Sequence, residues 1–228
     1  MKHTLLFVLF FFVFVGYSQT SSLEYLDSAD VELLFTDEVK SENEIHFSIF
    51  RVYPFTDELG DHLVVFTERL PKENDSIVAF CFRMSAGGSI EKLKWKITDY
   101  IEGDKENIHL QETAIWFWTK YLRLDDIDGN GSIDPIIVYG TSADNGIDDG
   151  RLKILVFLNG QKIGIRHQNS PMDFGRFTKV DASFYELSLS GQSKVKNLMK
   201  EISDANKVIF PAGWEEAMNA HKLSFDEN

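Results

Sequence analysis

One stretch of the chain has the residue types and spacing of a cation-binding loop. Residues 125–140 read DDIDGNGSIDPIIVYG. Counted from Asp126, the positions 1, 3, 5, 6, 7 and 9 are Asp126, Asp128, Asn130, Gly131, Ser132 and Asp134. A hard cation such as calcium needs several oxygens from a tight turn, and glycine permits the chain reversal at its centre. The spacing therefore predicts a calcium site, and a metal-free turn held by its own side-chain hydrogen bonds is the alternative.

The residues after this loop depart from the helical EF-hand pattern. Position 12 is Ile137 in place of a bidentate glutamate, and Pro135 followed by IIVY favours an extended chain. We therefore expect a strand–loop–strand site that needs further ligands. A second acidic segment, SADNGIDDGR, follows the next predicted strand. Its Asp148 and Asp149, with Asp144, are the expected additional ligands, unless they only solvate a long turn.

A second polar cluster lies at the end of another predicted strand. Its four adjacent hydrogen-bonding side chains are Arg166, His167, Gln168 and Asn169. They could form a sugar-binding surface, with Trp116 or Trp118 as a stacking face. The alternative is a polar loop that contains one satisfied histidine.

No sequence motif singles out a catalytic centre. A glycan hydrolase needs two carboxylates across the scissile bond, and the chain has 36 acidic residues without a motif that selects a pair. Glu112 and Asp173 lie nearest aromatic segments but fit ordinary surface or turn positions. There is no Gly-x-Ser-x-Gly elbow and no His or Cys pair at zinc-ligand spacing. The sequence favours a non-enzymatic role, and a glycan-active enzyme with scattered carboxylates is the alternative.

The elements that must position these residues are mainly strands. From residue 45 onward, short runs rich in Val, Ile, Phe and Trp alternate with turn residues, as in antiparallel sheets. Asn159-Gly160 favours a two-residue hairpin turn. Two helices follow, in SGQSKVKNLMKEIS and GWEEAMNAHK, with apolar residues on one face. The residues at this helical spacing are Val195, Leu198, Met199 and Ile202 in the first helix, and Trp214, Ala217, Met218 and His221 in the second.

The predicted fold is therefore mainly β, of the α+β class: an antiparallel sheet or sandwich with two C-terminal helices. A single domain is expected over residues 45–228. The acidic residues 19–44 are expected to be a solvated lead-in or an edge strand. The single cysteine, Cys81, lies in the apolar run SIVAFCFRM and is predicted to be a buried small side chain.

The first residues have the pattern of a secretory signal peptide. An apolar run covers residues 5–15, and small residues precede a cut after Ser18. This run is shorter than the roughly 20 residues of a membrane-spanning helix, so we expect residues 1–18 to be removed and no transmembrane span to remain. The expected location is periplasmic, outer-surface or secreted. A lone cysteine cannot form an internal disulfide, so a folded core must supply stability there.

The charge of the chain excludes several classes of partner. The formal net charge is -13, and loss of Lys2 with the signal peptide takes it from -13 to -14. Nucleic acids and anionic lipids bind clustered Lys and Arg, so they are not expected partners. Cations, neutral sugars and basic surfaces are compatible with this balance.

Two resemblances add to this reading. The acidic loop is similar to the Asp-x-Asp-x-Asp-Gly loops of FG-GAP and VCBS extracellular β-propeller repeats, which implies a local calcium turn but not the propeller fold. Residues 126–185, with DPIIVYGT, DDGRLKIL, IRHQN and VDASFY, resemble a family of small exported Bacteroidota proteins labelled surface polysaccharide biosynthesis. That resemblance implies a cell-surface role with a polysaccharide or an envelope protein as partner. An adhesion or scaffolding module is a further alternative.

Overall fold

The computed structural model describes residues 23–69, 74–101 and 111–227, which form two antiparallel sheets and four α-helices. The first sheet contains β1 (Ser48–Asp57), β2 (Gly60–Glu68), β3 (Ser76–Met84) and β4 (Ile90–Tyr100). The second contains β5 (Ala114–Phe117), β6 (Arg123–Asp125), β7 (Asp134–Ser142), β8 (Arg151–Leu158), β9 (Gln161–Gln168), β10 (Phe177–Val180) and β11 (Ser224–Asp226). The helices are α1 (Ser28–Leu34), α2 (Asp37–Glu42), α3 (Leu189–Asp204) and α4 (Trp214–Asn219). The predicted signal peptide lies outside the described residues.

Strands that are adjacent in the sequence are mostly adjacent in the sheets. The first sheet has the order β1-β2-β3-β4, and the second has the order β11-β10-β9-β8-β7-β5, with β6 also paired to β7. The predicted hairpin joins β8 to β9, where Asn159 and Gly160 have φ values of 50° and 78°. Positive φ at both positions matches the two-residue turn that the Asn-Gly pair favours. The mainly β, antiparallel prediction is confirmed.

The two sheets pack face to face around a shared apolar core. Inward residues of the first sheet, including Val64 and Phe66, lie in one buried cluster with Ile137 and other inward residues of the second sheet. Phe66 contacts Phe117 across this interface, with ring centroids 4.4 Å apart. Cys81 lies in the same core, and burial raises its thiol pKa to about 12. The fold is therefore a β-sandwich, and Cys81 is a buried thiol, as predicted.

The C-terminal helices cover the outer face of the second sheet. All four residues of the predicted apolar stripe on α3 are buried against that face. Ser188 caps the N-terminus of this helix, because its hydroxyl accepts a hydrogen bond from the Gly191 N–H at 3.0 Å. Helix α4 also exists but is shorter than predicted. It ends at Asn219, and His221 lies beyond it with φ of 57°, stacked on Tyr185.

The described part of the acidic N-terminal segment, residues 23–44, forms two short helices and contains no edge strand. Phe35, between α1 and α2, is 1% exposed and packs with Ile45 against the outer face of the first sheet. Two side-chain caps, Asp27 for α1 and Thr36 for α2, start the helices. The order of layers is helices, sheet, sheet, helices. Within the described residues, none of the helices has the length and apolar character needed to cross a membrane.

Phe66 tests the packing between the sheets. We expect Phe66→Ala to lower the free energy of unfolding by about 3 to 5 kcal/mol, because the cavity would open between two sheets that cannot close over it. Leu33→Ala is the control, since Leu33 is 78% exposed on α1. Urea unfolding of both variants measures the difference. Equal stability of the two variants would contradict the packing described above.

Candidate functional site

The acidic loop connects two paired strands. Residue Asp125, the last of β6, lies opposite Asp134, the first of β7, in an antiparallel ladder. The intervening residues must therefore reverse direction within a tight turn, and Gly129 and Gly131 adopt φ values of 79° and 84° there. Both values lie in the region that glycine occupies without strain. The predicted strand–loop–strand arrangement is what the structure contains.

Asp126 organises the centre of the loop. One carboxylate oxygen accepts hydrogen bonds from the N–H groups of Gly129 at 2.6 Å and Asn130 at 3.2 Å. The other accepts from the Gly131 N–H at 2.9 Å. These donors, Gly131 foremost, hold the pKa of Asp126 below its ordinary value. The carboxylate is therefore ionised at neutral pH, as a cation ligand must be.

The next two polar residues join the loop to the β8–β9 hairpin. The Asn159 side-chain amide donates to the Asp128 carboxylate at 3.1 Å, and the Asn130 amide donates to Asn159 at 3.2 Å. The Asn130 side-chain oxygen accepts from the Ser132 N–H at 2.8 Å. This contact uses one of the two lone pairs of the Asn130 side-chain oxygen, so the other lone pair remains for a cation.

Asp134 is the buried member of the cluster. It is 2% exposed, and its carboxylate accepts from the Ile127 N–H at 3.0 Å. Burial, together with the nearby charges of Asp128 and Asp126, raises its pKa to about 6. A buried carboxylate beside two others is electrostatically unfavourable unless a positive charge joins them.

The three carboxylates fit one coordination sphere. One oxygen from each of Asp126, Asp128 and Asp134 lies within 4.8 Å of the other two. Calcium binds oxygen at about 2.4 Å, so ligands on opposite sides of one ion are about 4.8 Å apart. The spacing of the three carboxylates is therefore compatible with a calcium ion.

The turn between β1 and β2 also contacts the loop, which the sequence reading missed. The Asp57 carboxylate accepts from the Ile133 N–H at 3.0 Å, and the Glu58 N–H donates to the Gly131 carbonyl at 3.1 Å. The Glu58 carboxylate lies directly over Gly131, where a Cβ would be 2.2 Å from its carboxyl carbon. The acid-rich turn TDELGD was the only available sign of this contact.

Helix α3 supports the opposite side of the loop. The Lys194 ammonium donates to the Asp126 carbonyl at 3.0 Å, and Ser188 donates to the Ile127 carbonyl at 3.3 Å. Gly191 lets the Ile127 side chain approach, since a Cβ there would lie 2.5 Å from it. The loop is thus held by a strand turn on one side and by a helix on the other.

The second acidic segment does not complete the cluster. Asp148 and Asp149 lie in the turn after β7, whereas the acidic loop precedes that strand. A strand of nine residues separates the two ends by roughly 30 Å, at about 3.3 Å per residue. Asp149 instead accepts a hydrogen bond from the Asn145 side chain. The prediction of Asp144, Asp148 and Asp149 as ligands of the same ion is wrong for this reason.

The polar run at the end of β9 does not form an exposed binding surface. His167 and Asn169 are 2% and 3% exposed. His167 contacts the Thr178 hydroxyl at 2.9 Å, and Gln168 donates to the Asp149 carbonyl at 2.8 Å. Arg166 is paired with Asp181 at 2.6 Å. These contacts fix the end of the strand and correspond to the alternative interpretation, a polar segment that contains a hydrogen-bonded histidine.

The other candidates for a glycan site or a catalytic pair have structural roles. Trp118 is 9% exposed, and it lies with Trp116 in the apolar cluster that includes the buried residues of α3. Glu112 is buried and forms a bidentate ion pair with Arg151. Asp173 lies on the surface, 2.8 Å from Arg176. These partners leave neither carboxylate placed as an acid facing a second acid across a cleft.

Fold and loop together define a class: a two-sheet β-sandwich covered by helices on both outer faces, with one acidic strand–loop–strand turn. Comparison with protein-family models, with curated proteins and with solved structures found no match. The interpretation of the chain therefore depends on its own residues.

His167 makes stability depend on pH. Burial lowers its pKa to about 4, from an ordinary value near 6.5. Between pH 6.5 and 4, His167 is protonated in the unfolded chain but neutral in the folded chain. The free energy of unfolding should therefore fall by about 3 kcal/mol over this range because of this group. Unfolding titrations across this range should give a shallower fall for His167→Gln. His46→Gln removes an exposed histidine and should keep the wild-type fall; the same fall in all three proteins would contradict this assignment.

Proposed function

We propose that the acidic loop binds calcium and that the ion has a structural role. The observation that carries this proposal is the convergence of the Asp126, Asp128 and Asp134 oxygens within 4.8 Å. Asn130 and the Ser132 carbonyl are the further candidate ligands, at positions that calcium loops use. Calcium takes six to eight oxygens, and water would supply those that the chain does not.

The ion would act as a cross-link and as a counter-charge. It would offset the repulsion among three carboxylates, one of them buried. It would also fix the turn between β6 and β7, which already contacts the β1–β2 turn through Asp57 and helix α3 through Lys194. Affinity in the range of extracellular modules, about 10⁻⁴ to 10⁻³ M, is sufficient outside the cytoplasm.

We further propose that the protein is a non-enzymatic envelope or surface protein, exported by its signal peptide and associated with surface polysaccharide. Support comes from the apolar leader, from the resemblance of residues 126–185 to exported proteins with that label, and from the ion pairs that occupy Glu112 and Asp173. A glycan-active enzyme would need two carboxylates that flank the scissile bond, and the sequence singles out no such pair.

A thermal melt tests the calcium proposal. We expect 10 mM calcium to raise the Tm of the mature protein by about 3 to 10 °C over chelator, because a Kd of about 10⁻⁴ to 10⁻³ M then gives about 1.4 to 2.7 kcal/mol. The double variant Asp126→Ala, Asp128→Ala should lose this rise. The double variant Asp148→Ala, Asp149→Ala removes the same charge at the other end of β7 and should retain it.

Two results would count against the calcium proposal. Identical wild-type melts in calcium and chelator, at matched ionic strength, would leave the loop as a metal-free turn. A rise that disappears equally in both double variants would show a general charge effect and not a site.

Export can be tested separately by mass spectrometry of the intact protein recovered outside the cytoplasm. We expect a mass that lacks residues 1–18 and an N-terminus at Gln19, because the apolar leader is too short to remain as a membrane span. A protein that retains these residues in the cytoplasmic fraction would contradict the proposed location.

A further inference from the structure

A cleft of about 830 Å³ opens beside the edge strand of the first sheet. Its walls come from the N-terminal segment, from β1, from residues 119–125 of the second sheet and from α3. The polar and aromatic lining includes Tyr25, Tyr53, Arg51, Lys120, Arg123 and Glu201. It is separate from the acidic loop residues 126–134, none of which lines it.

Two cations of this cleft lie over aromatic rings. The Arg51 guanidinium stacks over the Tyr25 ring at 4.0 Å, and the Lys120 ammonium lies 5.5 Å from the centre of the Tyr121 ring. Within the described parts of the chain, neither forms an ion pair. Both side chains line the same cleft. Their position leaves them available to an anion from outside.

The third cation of the cleft has a positioning role. Arg123 is paired with Glu201 and donates to the carbonyls of Lys120 and Leu122 at 3.1 and 3.0 Å. These bonds fix the backbone that carries Lys120. The cleft therefore has a rigid wall on one side and the Tyr25–Arg51 stack on the other.

The cleft is lined by apolar side chains as well as by cations. Tyr25 is 53% exposed and Leu23 is 36% exposed, and both line the cleft with Leu122 and Leu124. A site with cations beside aromatic and aliphatic groups suits a ligand that has both a carboxylate and a C–H face. A sugar ring that carries a carboxylate has this combination, whereas a bare inorganic anion uses only the cations.

The acidic balance of the whole chain does not prevent such binding. At physiological ionic strength, charges are screened over about 8 Å, so a ligand inside the cleft responds mainly to the groups that line it. The lining contains Arg51, Lys120 and Arg123 against Asp125 and Glu201, a local excess of one positive charge.

We propose that this cleft binds a carboxylate-bearing sugar, with Arg51 and Lys120 pairing with the carboxylate. The inference rests on the proposed association with polysaccharide and refines it to a site and a charge class. The net negative charge of the whole chain favours a neutral sugar instead. The cleft proposal predicts tighter binding of the acidic sugar, and the net charge predicts tighter binding of the neutral one.

Isothermal titration calorimetry with trigalacturonate and with maltotriose, at one fixed calcium concentration, tests the proposal. We expect trigalacturonate to bind the mature protein and maltotriose to bind at least about tenfold more weakly. The double variant Arg51→Gln, Lys120→Gln should weaken trigalacturonate binding at least about tenfold. The control double variant Arg83→Gln, Lys179→Gln removes one arginine and one lysine elsewhere and should bind as the wild type does. Thermal melts would show that both variants fold.

The outcomes separate the cleft from the wider proposal. Trigalacturonate binding that is unchanged in the cleft variant would overturn the cleft as the site but leave the glycan association standing. Stronger binding of maltotriose would overturn the charge class while supporting a glycan partner. If protein that melts normally binds neither sugar, the cleft proposal and the proposed glycan association are both overturned. The calcium proposal is not affected by that result.

Discussion

The rest of the structure depends on one constraint: the second sheet is apolar on both faces and must be covered on both. In β7, all but the last of its nine residues are buried. Residues such as Ile136 and Val138 face α3, while Ile137 and Tyr139 face the first sheet. A sheet of this kind cannot leave either side in water, because each exposed face would forfeit roughly 25 cal/mol per Å² of apolar area. The first sheet and the C-terminal helices are the covers that this chain supplies.

The elements of the fold could be predicted from the sequence, but their arrangement into two packed sheets could not. Strand-forming runs, the Asn159-Gly160 turn and the apolar stripe of α3 are local patterns, and local patterns specify elements. The arrangement of two sheets back to back depends on contacts such as Phe66 with Phe117, which are far apart in the chain and have no local signature. The N-terminal segment illustrates the limit: its acids indicated solvation, but Phe35 and Ile45 dock it as helices on the first sheet.

In the candidate site, too, the local residues could be predicted from the sequence and the distant ones could not. Asp126, Asp128 and Asp134 were predictable because calcium loops take their ligands from one short stretch. Asp57 and Lys194 could not be predicted, since they reach the loop only through the packed fold. The prediction for Asp148 and Asp149 was wrong because closeness in sequence was taken for closeness in space, although a full strand separates the two turns. The sequence left two interpretations of the polar run at Arg166 open, because burial of His167 and Asn169 depends on the neighbouring segments.

The supports of the acidic loop also affect the kinetics of folding. The contact of Asp57 with Ile133 spans 76 residues, and that of Lys194 with Asp126 spans 68. Contacts of such separation form when the sheets and α3 have come together, because closing long stretches of chain costs entropy that only later packing offsets. Interactions that form after the transition state slow unfolding and leave the folding rate nearly unchanged. Contacts that form this late would lengthen the lifetime of the native state, which is the stability that opposes irreversible unfolding.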